Sequence, residues 1–149
     1  MNAPLDDIDR AIIELLQHDG RMPFTRVAAE VGLTEGAIRQ RVQRLTDTGV
    51  MQIVAVTDPH SLGMRRVAIV GIRVAGSVDV VAEFVAAMTE VEYLIATAGR
   101  FDLMLEVLAD DDAALMALLS SIRSHPGVVE LESFVSLKLF KQTFSWGAR

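Results

Sequence analysis

The stretch VGLTEGAIRQRVQRLTDTG, residues 31–49, decides the reading of the N-terminal part of the chain. Val31 closes one helical pattern, Gly32 is the residue type that most readily ends a helix in a left-handed conformation, and Thr34 can cap the next helix. A new helix thus begins within three residues of the last one's end, the spacing of a helix-turn-helix. At about 100° per residue with Ile38 at zero, Val42 falls near 40° and Leu45 near 340°, which leaves a narrow buried stripe. The opposite half carries Gly36, Arg39, Gln40, Gln43, Arg44 and Asp47, with Arg41 on the flank. Arginine and glutamine on a solvated helix face are common. Gly36 and Ala37, however, keep the first turn small enough for a close approach to a DNA groove, and Arg and Gln are side chains that read base edges.

Upstream, Ile8, Ile12, Leu15 and Leu16 share one stripe of a helix over about 6–17, with Asp6, Asp7 and Asp9 in the first turn, where the helix dipole favours negative charge. Phe24, Val27, Ala28 and Val31 mark a second helix over about 23–31, and the 34–48 helix is the third. Gly49 ends it. Met51 to Thr57 reads as an extended segment, either one strand of a small wing or a bridge onward. The Pro and Gly of Thr57-Asp58-Pro59-His60-Ser61-Leu62-Gly63 then mark a linker.

Beyond it the pattern becomes β-branched. Strands are expected over 67–74, 91–98, 103–108 and 128–140, and helices over 78–89 and 112–124, with Gly99-Arg100-Phe101-Asp102 as a turn. The order is β-α-β-β-α-β, the split βαβ arrangement of ferredoxin-like domains, so the fold class is α+β. Two helices can cover only one face of four strands. Yet Val67 and Ile69 point opposite to Ala68, Val70 and Ile72, and Phe134 and Phe140 opposite to Leu131, Val135, Leu137 and Leu139. A sheet open to water alternates more cleanly, so a second copy of the chain is the expected cover. Domains are expected at 1–52 (helix-turn-helix), 53–65 (linker) and 66–149 (the βαββαβ domain and assembly face).

The chain has 149 residues, no Cys, and 20 acidic against 14 basic side chains, a net charge of −6. That balance argues against coating nucleic acid or membranes by bulk charge. Between Gly20 and Thr46, however, Arg21, Arg26, Arg39, Arg41 and Arg44 face only Glu30 and Glu35, a local +3 suited to phosphates. No export signal and no apolar run of spanning length is visible, so a soluble cytoplasmic protein without membrane partners is expected. His18, His60 and His125 lack metal-ligand spacing, and no P-loop, GxGxxG or GxSxG occurs. Asp110 to Asp112 read as helix capping, Tyr93 and Trp146 as isolated aromatics, and Met104 and Met116 as core. The expectation is no catalytic residue, no metal and no cofactor.

Several segments, in order, resemble the Lrp/AsnC (leucine-responsive, feast/famine) transcriptional regulators. They are Leu5 to Ile12, Asp19-Gly20-Arg21, Val31 to Thr34, Arg41 to Leu45 with Gly49-Val50, Gly99 to Asp102, His125 to Val128 and the closing strand with Lys141. The resemblance implies a winged helix-turn-helix that binds double-stranded operator DNA as a homodimer, with dimers assembling into tetramers or octamers. It also implies a small effector, an amino acid or related metabolite, held between dimers. Residue by residue, it places DNA contact at Arg21, Thr34, Glu35, Gly36, Arg39, Gln40, Arg41, Gln43 and Arg44. It places effector contact at Gly99, Arg100, Phe101 and Asp102, facing Phe134, Val135 and Ser136. Asp102 would accept the effector's ammonium. Arg100, a large cation in that turn, would pair with a ligand carboxylate, reject basic effectors or cross an interface. The competing expectation is an amino-acid-binding regulatory subunit that acts on a protein partner, its helix-turn-helix being only a docking module.

Overall fold

The computed structural model describes residues 5–58, 61–63 and 66–143. It divides into two compact units, with breaks between Val56 and Thr57 and between Phe140 and Lys141. His60 and Trp146 lie outside the described residues.

The first unit contains α1 (Asp7–His18), α2 (Phe24–Val31) and α3 (Glu35–Asp47). Asp6 caps α1 in a reciprocal box: its Oδ1 accepts from the Asp9 amide at 2.7 Å, and Asp9 Oδ2 accepts from the Asp6 amide at 3.3 Å. Gly32 ends α2 at φ 71°, where a Cβ would be strained, and Thr34 Oγ1 accepts from the Ala37 amide to start α3. Ile12, Leu16, Val27, Ala28, Ile38 and Val42 form the core between the three helices. Residues 51–58 pair with no strand among the described residues, so of the two readings, wing strand or bridge, the strand does not form.

One buried charge ties α3 to α1. The Asp9 side chain is fully buried, and both its oxygens accept from Arg44 Nη2 at 2.6 Å while Arg41 Nη1 reaches Oδ1 at 2.8 Å. Arg41 Nη1 also meets Asp6 at 2.7 Å. Burial pushes the Asp9 carboxyl up, but the hydrogen bonds from Arg44, Arg41 and the Asp6 amide outweigh it and hold the group below its ordinary range. Asp6 is lowered as well, chiefly by the hydrogen bond from Arg41.

The second unit contains β1 (Arg66–Val74), α4 (Val78–Ala86), β2 (Val91–Ala96), β3 (Leu103–Ala109), α5 (Asp112–Arg123) and β4 (Val128–Val135). The strands form one antiparallel sheet in the order β2-β3-β1-β4, which realises the expected split βαβ topology. Ala68, Val70, Ile72, Leu103, Leu105 and Val107 face Val81, Val85, Leu115, Leu118 and Ile122 of the two helices. Asp111 caps α5 through the Ala114 amide, and Asp112 pairs with Arg66 of β1, which lowers the Asp112 carboxyl.

Three expected elements are longer in sequence than in space, among them β2, which ends at Ala96 rather than Ala98. β4 stops at Val135 rather than Phe140, because the Ser136 amide makes the last bond to β1, at Val67 O, and residues 137–140 run past the start of that strand. α4 ends at Ala86 rather than Thr89, since the Met88 and Val91 amides close the tight turn into β2. Met116, expected in the core, lies 68% exposed on α5.

The other face of the sheet carries Val67, Ile69, Gly71 and Arg73 of β1. Cross-strand register sets beside them Met104, Glu106 and Leu108 of β3, Glu130, Glu132 and Phe134 of β4, and Tyr93 and Ile95 of β2. Ile69, Tyr93, Ile95 and Phe134 are exposed there. Phe101 is the exception: its ring lies on Gly71, where a Cβ would come within 2.6 Å of Cγ.

Gly71→Ala is expected to cost about 1–3 kcal/mol by overpacking against Phe101, read as a lower melting temperature, and less in a Phe101→Ala background. Acid stability follows from the lowered carboxyls of Asp6, Asp9, Asp112 and Glu130. Because the folded form holds these groups ionised, their contribution is full above the unfolded values and lost as pH falls through the folded ones. A urea midpoint measured against pH is expected to decline once pH drops below about 4.5, with Asp9→Asn removing part of that decline.

Candidate functional site

The N-terminal candidates gather on one face of α3. Thr34 caps the helix, Gly36 has open space where a Cβ would stand, and Gly36, Arg39, Gln40, Gln43, Arg44 and Asp47 line a shallow concavity with Thr48. Arg21 lies in the turn after α1, exposed. The polar side chains are not equally held. Arg39 donates to Glu35 at 2.8 Å across one helical turn and lies 5.6 Å from the Phe24 ring, while Gln43 donates to Asp47 at 2.7 Å. Both pairs are solvent-exposed, so each contributes little and separates easily when a better acceptor arrives. Arg41 and Arg44 instead grip the buried Asp9 carboxylate.

The second candidate region is the turn between β2 and β3. Thr97 closes it, its amide donating to Asp102 O at 2.9 Å and its hydroxyl to Phe101 O at 2.6 Å. The Asp102 amide donates to Ile72 O, and its Oδ2 accepts from the Val74 amide at 2.7 Å. The carboxylate thus stands in for the carbonyl that a longer β3 would offer to β1, at the point where the β1–β4 register shifts between Arg73 and Val74. The oxygen expected to meet an effector's ammonium therefore already serves the backbone.

Arg100 is likewise engaged within the chain. It donates to Glu130 at 2.9 Å and also to Glu132, and its guanidinium lies 5.1 Å from the Phe101 ring. Glu130 also pairs with Arg73 at 3.3 Å. The hydrogen bond from Arg100 holds the Glu130 carboxyl below its ordinary range. Glu130 and Glu132 are the β4 side chains that the turn grips, further back along the strand than Phe134, Val135 and Ser136. Phe134 stands opposite Ile69, Val135 opposite Ala68 on the helix side, and Ser136 bonds to Val67.

Sequence reasoning missed Asp9, Gly71, Glu130 and Glu132. The Glu-x-Glu spacing of the last two shows that they share a strand face, and the lone glycine within the apolar β1 run marks a close approach. On a helical wheel with Ile12 at zero, Asp9 falls about 60° away, on the apolar stripe, while Asp6 and Asp7 fall about 120° and 140° away, so the signal for its burial was present. Among the described residues no group of His, Asp and Glu could hold a metal ion, and no helix is long and apolar enough to cross a membrane.

Two family models cover most of the chain: the AsnC-type helix-turn-helix domain over residues 5–46 and the Lrp/AsnC ligand binding domain over 67–146. The HTH-type transcriptional regulator FL11 of Pyrococcus horikoshii is 33% identical over 145 residues, spanning 96% of each chain. The leucine response regulatory protein LrpA of Mycobacterium tuberculosis superposes with a TM-score of 0.84 at 31% identity, over 93% of this chain and 96% of that one. A transcriptional regulator from Neisseria meningitidis, solved as a complex with L-Met, gives a TM-score of 0.81 at 28% identity, over 95% and 96%. The α3 face and the β2–β3 turn thus lie within domains whose relatives regulate transcription rather than catalyse reactions, and the chain belongs to the Lrp/AsnC family of transcriptional regulators, with a helix-turn-helix DNA-binding domain and a ligand-binding domain.

Proposed function

We propose that this regulator binds operator DNA through α3 and the turns beside it, and that an amino acid at the β2–β3 turn alters its assembly and DNA affinity. The observation that carries the DNA part is the polar face of α3, where Arg39, Gln40 and Gln43 stand over an open concavity beside Gly36. Thr34 and Glu35 at the helix start and Arg21 in the turn after α1 join this contact set. Exposed pairs such as Arg39 with Glu35 exchange readily for phosphates or base edges, and the phosphate part makes affinity depend on salt.

Support for an amino-acid effector comes from the Neisseria meningitidis relative, which was solved with L-Met. Here the ligand would lie against Gly99, Arg100, Phe101 and Asp102, with Phe134, Val135 and Ser136 contributed across an assembly interface. Asp102 already accepts from the Val74 amide, whereas the exposed Arg100 pair with Glu130 exchanges as readily as Arg39 with Glu35, so Arg100 and the backbone amides of the turn would carry much of the recognition of a carboxylate. The exposed apolar face around Ile69, Tyr93 and Phe134 would be covered by a second copy. Effector binding then acts through different affinities for two oligomeric arrangements.

Duplex binding measured across a salt series is expected to be steep, and Arg39→Ala should lower the slope of log affinity against log salt by about 0.9 if it meets one phosphate. No measurable affinity for any duplex at low salt would favour a protein-directed regulatory subunit and overturn the DNA reading. Thermal-shift and sedimentation screens over the amino acids are expected to find one that raises apparent stability, by about 2.7 kcal/mol at a hundredfold excess over Kd, and changes oligomer size. A flat response to the whole panel would overturn the effector reading.

A further inference from the structure

Resting on the DNA-binding reading above, we propose that Asp9 is a positioning residue for DNA recognition, and that Arg41 and Arg44 serve it rather than phosphates. Three observations carry this. Asp9 has no solvent exposure, although it lies in the first turn of α1, and its two oxygens are taken up by the two arginines and the Asp6 amide. The pairings span 32 and 35 residues of sequence, so they join the first helix to the third. Both arginines reach from α3 back to its own domain, Arg41 from the flank at 27% exposed and Arg44 from the edge of the polar face at 42% exposed.

The energetics separate these arginines from Arg39. Removing a partner from a buried carboxylate strands an uncompensated charge, which is among the costlier changes a domain can suffer. A phosphate competing for Arg44 would have to meet that cost. The Arg39–Glu35 pair, with side chains 67% and 44% exposed, demands nothing comparable. Arg44 reaches both Asp9 oxygens with its terminal Nη2, and a lysine side chain, being shorter, would hold its ammonium back from the buried carboxylate. The clasp therefore fixes the angle at which α3 leaves the domain. Base edges are read only if Arg39, Gln40 and Gln43 arrive at a set depth and rotation, whereas phosphates tolerate looser placement.

A consequence concerns charge. Of the five arginines between Gly20 and Thr46, two are balanced by Asp6 and Asp9, so phosphate contact falls to Arg21, Arg26 and Arg39.

The test uses the full chain, a duplex enriched by the parent protein from a randomised pool, and a mixed-sequence duplex of equal length. Asp9→Asn and Arg44→Lys are compared with the parent, with folding followed by far-UV circular dichroism. Both variants are expected to keep the parent's salt slope on the mixed duplex and to lose discrimination between the two duplexes by roughly tenfold or more. The doubly substituted protein should be no worse than either single variant. Arg44→Lys retains the positive charge and leaves Asp9 a partner, so it reports even if Asp9→Asn fails to fold. Retained discrimination in Arg44→Lys would overturn the proposal, since a phosphate contact needs only the charge. So would a slope lowered by about 0.9, or equal weakening on both duplexes, which is what mere loss of folded protein produces. Should the parent itself bind neither duplex at low salt, the DNA reading fails and not the positioning role alone.

Discussion

A carboxylate without access to water must be answered by cations from its own chain, and that requirement organises the N-terminal unit. Asp9 sits where helix-start acids normally stay in solvent. Once it is buried, Arg41 and Arg44 must come to it, and because both lie on α3 the third helix is drawn to the first. The apolar contacts of Ile12, Ile38 and Val42 supply the bulk of the burial. They are non-directional, and a helix held by three aliphatic side chains can still roll about its axis. Two directional pairings to one buried carboxylate, from Arg41 and Arg44, remove that freedom.

In the C-terminal unit the corresponding constraint is geometric. Two helices shield one side of four strands, and the chain covers only part of the remaining side by folding the β2–β3 turn over β1. Asp102 ends the β1–β3 ladder with its side chain, Phe101 lies on Gly71, and Arg100 spans to β4. The turn placed among ligand contacts by resemblance is thus built into the sheet, which makes it a firm platform rather than a loose loop.

Most of the fold was legible because periodicity and punctuation agreed. Gly32 and Thr34 mark the helix-turn-helix unaided, and the alternation in β1 locates both faces of the sheet. Element ends were less legible where partners decide them. Nothing local in residues 136–140 or 51–57 distinguishes apolar residues that pair from those that have no strand to pair with. The polar face of α3 was legible from the helical wheel, but the division among its arginines was not. That division depends on an aspartate more than thirty residues upstream, seen only when α1 and α3 meet. Likewise the hydrogen bond that Asp102 accepts from the Val74 amide shows only once the turn meets β1.

The contact between Gly71 and Phe101 reaches beyond this one chain. A ring seated on bare backbone leaves no room for a side chain below it, so the two positions cannot drift independently among relatives. A change to alanine or serine at 71 is less costly once the residue at 101 has shrunk or turned aside, and an aromatic ring at 101 is best tolerated while 71 is glycine. The pair therefore couples two distant positions: the shape of the β2–β3 turn depends on a glycine thirty residues away on β1.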